Sequence, residues 1–276
     1  MKSKIAILIH TNSAYSDLWE AFFKRLSKYL LLDVECYLLT DTIKTHIYSI
    51  NYTFKEIFIY NKETLFIENL DIPVYSFSER FKMALNTITN EYILVLFDNN
   101  ILYDYTDTNE WNILEQWIYL NTPATVRLCT GLNDLKFPLI YCKNYIYKLH
   151  PNAENQVSNY PTIWNRQLLL NIINTYPKLT YHNLETEEIY KYVRGSVYII
   201  LNEKLQPLGC SVFISPPILK FAHVISKGKW YTDVYKKIIQ NISNEFNIDL
   251  SIRGQHISMC LNNLLPNTKH DHICFK

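Results

Sequence analysis

Short, nearly continuous apolar runs alternate along this chain with segments in which apolar residues recur every three or four positions. Residues 4–10 are an apolar run of strand length, suited to a strand covered on both faces. Thr11-Asn12-Ser13 interrupts the run, and Ser16-Asp17 offers N-cap chemistry to the next segment. Leu18, Trp19, Phe22, Phe23, Leu26, Tyr29 and Leu30 then form the stripe of an amphipathic helix. Residues 34–39 predict a second strand, ending at Thr40-Asp41. This strand–helix–strand unit favours a right-handed crossover in a mainly parallel sheet. The same reasoning predicts a strand at 56–60 and a helix at 78–88, with Phe81, Ala84, Leu85 and Ile88 inward. Residues 92–97 (YILVLF) are the most hydrophobic strand candidate, stopping abruptly at Asp98-Asn99-Asn100. Beyond them the pattern predicts helices at 111–119, 163–176, 187–193 and 231–246, and strands at 124–129, 137–149 and 219–225. The expectation is an α/β fold in one domain, 1–276, with α/β order in the first hundred residues, a looser α+β order afterwards, and a subregion with a C-terminal helix after residue 130.

Composition removes several function classes. Five glycines in 276 residues, at positions 131, 195, 209, 228 and 254, leave no G-x-G-x-x-G and no G-x-x-x-x-G-K-[ST]. A phosphorylated ligand therefore needs another device than a glycine-rich cradle. The formal net charge of +1 offers no excess of Lys and Arg for a nucleic-acid backbone, so no nucleic-acid partner is expected. The six cysteines contain no C-x-x-C pair and read as reduced thiols. No stretch of 18 apolar residues and no leader-like start is present, so a cytoplasmic protein without a transmembrane segment is expected.

The first candidate for chemistry is Asp98. In open α/β sheets ligands sit beyond the carboxyl ends of the strands. A carboxylate delivered there suits Mg²⁺ or Mn²⁺ shared with a diphosphate, since such ions take one or two carboxylates plus phosphate oxygens. Asp-Asn-Asn is also good turn chemistry.

Phe77-Ser78-Glu79-Arg80, Met83-Ala84-Leu85 and the run from Asn90-Glu91-Tyr92 to Phe97-Asp98 resemble glycosyltransferases of the GT-A fold from bacteria and giant viruses. There a short helix with Ser and Arg leads into a strand ending in an acidic pair. Ser158, Pro161-Thr162-Ile163-Trp164 and Leu168-Leu169, then Asn183-Leu184-Glu185, are similar to a later segment of that family. His223-Val224-Ile225-Ser226-Lys227-Gly228-Lys229 is similar to its C-terminal K-G-K element.

The resemblance implies a GT-A-like, mixed but mainly parallel sheet and a nucleotide-sugar donor, with a UDP-sugar favoured. Residues 1–130 would form the donor-binding half and 131–276 the acceptor side, for a hydroxyl on a glycan or similar molecule. It implies Thr11 and Asn12 at the nucleoside, Ser78 and Arg80 near the diphosphate, and Lys227 and Lys229 closing over it. It also implies a Mn²⁺ or Mg²⁺ ion at Asp98, with Asn100 and His223 as further ligands, and Glu185 as the base toward the acceptor. A guanidinium forks two phosphate oxygens, which suits Arg80. The bland readings stand beside these: a solvated helix face for Arg80, a surface turn for Lys227 and Lys229, a packed imidazole for His223, and helix-dipole acids for Glu185, Glu187 and Glu188. The chain departs from the family where Asn99 and Asn100 replace the second acid, bringing carbonyl oxygens without charge. Two rival classes remain: a catalytically silent relative that binds a glycan or partner, and a sugar-phosphate nucleotidyltransferase. The latter usually carries Gly and Arg after strand one, where this chain has Thr-Asn-Ser-Ala-Tyr.

Overall fold

The computed structural model describes residues 3–42, 53–60, 77–153, 156–158, 160–179, 184–201, 213–214 and 216–255. Its first five elements follow the periodicity closely: β1 (Ile5–His10), α1 (Trp19–Tyr29), β2 (Cys36–Thr40), β3 (Glu56–Ile59) and α2 (Phe77–Thr87). They are followed by β4 (Tyr92–Phe97), β5 (Asn100–Leu102), α3 (Thr108–Asn121), β6 (Thr125–Arg127) and β7 (Thr130–Gly131). The second half continues with β8 (Ile140–Lys143), β9 (Ile146–Lys148), β10 (Thr162–Asn165), α4 (Arg166–Thr175), α5 (Glu187–Val193) and β11 (Val197–Ile200). It closes with β12 (Phe213–Ile214), β13 (Phe221–His223), β14 (Ile225–Ser226), β15 (Lys229–Trp230) and α6 (Thr232–Phe246).

A nine-stranded sheet in the order β3-β2-β1-β4-β10-β6-β11-β9-β8 forms the middle layer. The pairings of β3, β2, β1 and β4 are parallel, and only β10 and β9 run against the other seven strands, so the sheet is mixed but mainly parallel. Strand alternation divides the core into two. Ile5, Ile7, Ile9, Leu94 and Leu96 face α1, α3 and α6, burying Phe22, Trp111 and Ile239. Ala6, Leu8, Ile93, Val95 and Phe97 face α2, α4 and α5, burying Phe81, Leu85, Ile172 and Val193. Both faces are covered, which is why β1 and β4 read as unbroken apolar runs. No helix among the described residues is long and apolar enough to cross a membrane.

Four departures from the sequence-based expectation have physical causes. The segment 163–176 is not one helix: Thr162–Asn165 is a strand inserted antiparallel between β4 and β6. Thr, Ile and Trp suit a doubly covered strand. Asn165 then caps α4 by accepting the Leu168 N–H at 2.9 Å. Residues 137–149 fold into the β8–β9 hairpin, with Asn144 left-handed at φ 47°. Residues 219–225 divide, β13 pairing with β5 while β14 forms a hairpin with β15. Finally, α1 is preceded by a 3₁₀ turn, Ser13–Leu18, capped by Asn12, whose side chain accepts the Ala14 N–H at 3.0 Å. Asp17 does not cap it, because its carboxylate is paired with Arg253.

Candidate functional site

The order of the sheet reverses between β1 and β4, and such a switch point opens a crevice beyond the strand ends. Here the chain leaves β1 through Thr11 and Asn12, leaves β2 through Asp41, and leaves β4 through Asp98.

Asp98 sits at the centre of this mouth and is 3% exposed. Its Oδ2 accepts the Asn12 main-chain N–H at 2.9 Å and the Trp19 indole N–H at 2.9 Å. Its Oδ1 accepts no hydrogen bond from another described residue. Burial pushes the carboxyl up to about 7, against the pull of the Asn12 and Trp19 N–H groups, with the Asp41 charge adding to the rise. The sequence pattern places this carboxylate on an open cleft. The structure instead seals one oxygen into the protein, because the indole at the head of α1 folds over it.

Around Asp98 lies a polar rim. Asp41, nearly buried, accepts the Ser13 N–H at 2.8 Å and the Ser13 hydroxyl at 2.7 Å, holding the β1–α1 loop against the end of β2. Tyr60, just past β3, donates its hydroxyl to the Thr11 carbonyl at 2.9 Å and lies 3.0 Å from His10 Nε2. The Arg80 guanidinium, on the first turns of α2, lies 4.5 Å from the centre of the Tyr60 ring, within cation–π range. Burial raises the Tyr60 hydroxyl, while the Arg80 charge opposes the rise. Thr11 is fully buried, and its hydroxyl has no hydrogen-bond partner. Arg253, from the segment after α6, grips Asp17, donates to the Ala14 carbonyl at 2.7 Å and covers the Tyr15 ring.

The remaining predicted residues distribute unevenly. Asn100 and His223 face each other across the β5–β13 pair, with Asn100 Oδ1 3.2 Å from His223 Nδ1. Asn100 also donates to Asn99 Oδ1 at 3.1 Å, and Asn99 donates to the Ile225 carbonyl at 3.3 Å, giving a closed side-chain chain. Burial lowers the His223 imidazole to about 4, so it is neutral at pH 7. Ser78 is buried on the opposite side of α2 from solvent, its hydroxyl donating to the Tyr176 carbonyl at 2.9 Å, where it ties α2 to the end of α4. Lys227 and Lys229 are exposed on the β14–β15 hairpin, whose turn places Lys227 at φ 51° and Gly228 at φ 77°. Glu185 is exposed in the turn before α5, near enough for its charge to raise the Arg127 guanidinium. Its neighbour Leu184 lines a narrow apolar cavity with Tyr160 and Phe97, beside the end of β4. Asn183 and the side chain of Glu187 lie outside the described residues. A larger groove of ≈ 670 Å³ runs along the α4–α5 junction, lined by residues such as Tyr176, Lys178 and Glu188. Of the candidate acids only Glu188 lines it, and the strand ends, not this groove, carry the convergent polar groups.

The expected divalent cation meets a reduced donor set. No three His, Cys, Asp or Glu side chains converge among the described residues. Asn100 Oδ1 and His223 Nδ1 face each other, so each of these atoms already has a partner. Asp98 Oδ1, which neither donor engages, is the oxygen that fits, suited to an ion completed by phosphate oxygens and water rather than enclosed by protein.

Asp41, Tyr60, Trp19 and Arg253 were not singled out by sequence reasoning. Asp41 had a usable signal, an acid directly after an apolar strand, the same pattern as Asp98. Trp19 reads in sequence as one more residue of an amphipathic stripe, and Arg253 carries no local signal.

The sequence matches no protein-family model and no curated protein. Solved structures resemble the fold. The apo structure of the bifunctional glycosyltransferase WbbM aligns with a TM-score of 0.51 at 10% identity, over 92% of this chain and 52% of that one. This chain thus spans about half the length of WbbM. S. aureus TarS, residues 1–349, aligns with a TM-score of 0.47 at 10% identity, over 92% of this chain and 68% of that one. A CMP:2-keto-3-deoxy-manno-octonic acid synthetase complexed with CTP aligns at 0.45 and 12% identity, over 88% and 100%. The WbbM likeness and the strand order together establish a GT-A-like, Rossmann-type mixed sheet flanked by helices, the class expected from the sequence.

Proposed function

We propose that this chain is a glycosyltransferase, moving a sugar from a nucleoside-diphosphate sugar, UDP first, to a hydroxyl of a glycan or similar acceptor. The observation that carries the reading is Asp98 at the β1/β4 switch point, buried and with both neighbouring donors on one of its two oxygens. A buried carboxyl raised by desolvation, with no ion pair to a described residue, marks a functional candidate in such a place. The likeness to WbbM supports the same reading at the level of fold.

In this mechanism the β1 loop, held by Asp41 through Ser13, forms the floor for the nucleoside beside Thr11 and Asn12. Arg80 is placed by α2 on the same rim and pairs with diphosphate oxygens, fixing the leaving group by its fork of N–H donors. Asp98 Oδ1 would hold a divalent cation, which would supply charge stabilisation to the departing diphosphate. The acceptor oxygen forms the new bond at the anomeric carbon as the bond from that carbon to the phosphate oxygen breaks. Glu185 takes the acceptor's proton, a role worth ~10²–10⁴ in rate. Lys227 and Lys229, on a hairpin whose neighbour β13 pairs with β5, add positive charge over the diphosphate.

Calorimetry with UDP, GDP and CMP, with and without Mn²⁺, tests the reading. Binding of one nucleotide, abolished by Asp98→Ala in a folded protein, is the expected result. A second reading, the silent binding protein, is supported by the closed Asn99–Asn100–His223 chain, and no binding to any of the three nucleotides would favour it over the enzyme. In transfer assays Glu185→Gln should reduce turnover by roughly 10²-fold or more while leaving donor affinity in place. An undiminished rate moves the base to another acid.

A further inference from the structure

Asp98 is held by two donors, and they do not have the same standing. The Asn12 N–H belongs to the main chain and is placed by β1 itself. The Trp19 N–H belongs to a side chain that is 1% exposed, at the first residue of α1, on the other side of the loop. Both converge on Oδ2 at 2.9 Å, and neither reaches Oδ1. A carboxylate turning freely about its Cβ–Cγ bond presents either oxygen to a ligand. Two donors converging on one oxygen remove that freedom.

We propose that Trp19 is a positioning residue, whose indole N–H, with the Asn12 amide, locks Asp98 Oδ2 so that Oδ1 is turned to a diphosphate-bound cation. The inference rests on the glycosyltransferase reading, and it assigns to this indole a task beyond filling the core. The packing alternative is explicit: Trp19 also lies within the large apolar cluster between the sheet and α1, α3 and α6. Replacement by Phe keeps an aromatic ring there and removes the N–H. The bond lost is one to an ionisable group in a buried setting, where such bonds are the stronger kind. Roughly a tenfold loss of cation-assisted affinity is therefore expected.

A double-mutant cycle separates positioning from packing. UDP affinity, with and without Mn²⁺, is measured for the wild type, Trp19→Phe, Asp98→Asn and the double variant, with thermal melts of all four. The expected result is that Trp19→Phe weakens Mn²⁺-assisted binding roughly tenfold, leaves metal-free binding unchanged, and has no further effect in the Asp98→Asn background. Equal losses in both backgrounds, or wild-type binding by Trp19→Phe, would overturn the proposal while leaving the role of Asp98 intact. Absence of UDP binding by the wild type, with or without Mn²⁺, removes the reading beneath it and the proposal with it. Should Trp19→Phe fail to fold, the wild-type protein still decides. One of the five indole N–H signals in a ¹⁵N spectrum should move on adding Mg²⁺-UDP and lose that response in Asp98→Asn. If no indole signal responds, the proposal is wrong.

Discussion

Two aspartates are buried in this protein to almost the same degree, and they are treated in opposite ways. Asp134, 1% exposed, has both oxygens held by the Arg127 guanidinium, at 3.0 and 2.9 Å, and a third donor in the Gly131 N–H at 2.8 Å. Asp98, 3% exposed, makes no ion pair with any described residue and has two neutral donors on one oxygen. The first is a closed unit that pins the β6–β7 corner and offers nothing to a ligand. The second has no ion-pair partner within reach among the described residues, and burial pushes its carboxyl up to about 7. Burial depth alone does not distinguish a structural acid from a candidate functional one; the presence or absence of a direct ion pair does.

Breaking the paired aspartate is expected to have the largest effect. Asp134→Ala removes the carboxylate that accepts two Arg127 N–H bonds and balances its buried charge, at a cost of about 3–5 kcal/mol. Urea melts should record that loss, while the fraction still folded should bind UDP as before. A loss below about 1 kcal/mol would remove the contrast between the two acids.

The second effect is the converse one. Asp98→Asn retains the shape of the side chain and removes its ionisable group, so it should melt no lower than the wild type at pH 7. It should nevertheless lose Mn²⁺-assisted UDP binding by roughly tenfold, about the worth of one charge-assisted contact. A variant that loses stability instead of binding would make Asp98 another Asp134.

A third test uses pH. The Asp98 carboxyl is raised from 3.8 to about 7 by burial, so the folded state holds its proton more tightly. Its contribution to stability is complete below pH 3.8 and is lost as pH rises through about 7. His223 behaves with opposite sign. Burial lowers its imidazole from 6.5 to about 4, so its contribution is complete above pH 6.5 and is lost as pH falls through about 4. The two slopes oppose each other in the wild type. Thermal melts of Asp98→Asn should therefore show stability rising with pH from about 4 to 6.5, and His223→Gln the reverse trend up to about 7. Identical pH profiles in both variants would contradict this assignment.

The smallest effects belong to the exposed hairpin. Lys227→Ala and Lys229→Ala should alter stability by no more than about 0.5 kcal/mol, as surface changes do. Their reduction of UDP affinity should be a few-fold and should fade at high salt. Lys227→Gly should be tolerated or mildly stabilising in melts, because φ 51° suits glycine better than a side-chain-bearing residue.

The first hundred residues were legible because their signals are local. A covered strand must be apolar on both faces, as Ile5–His10 and Tyr92–Phe97 are, and a helix lying on a sheet must show a 3.6-residue stripe, as Trp19–Tyr29 does. From these came the mainly parallel sheet and the position of Asp98 at a strand end. The second half was less legible. Thr162–Asn165 became a strand because a slot between β4 and β6 was available to it, and Asn100–Leu102 did so because Phe221–His223 came alongside. Such pairing is written in no local pattern. The same limit governed the site: neighbouring residues placed Asp98 and the β1 loop at one mouth, but which oxygen of Asp98 is closed depends on Trp19, 79 positions away. Arg253 reaches the loop from 236 positions beyond Asp17. Local periodicity is set by bonded neighbours and by the face that must be buried, so the sequence determined the elements and the strand end that carries the acid. Orientation of a carboxylate and cancellation of a charge depend on contacts between distant segments, and those were decided only when the chain had packed.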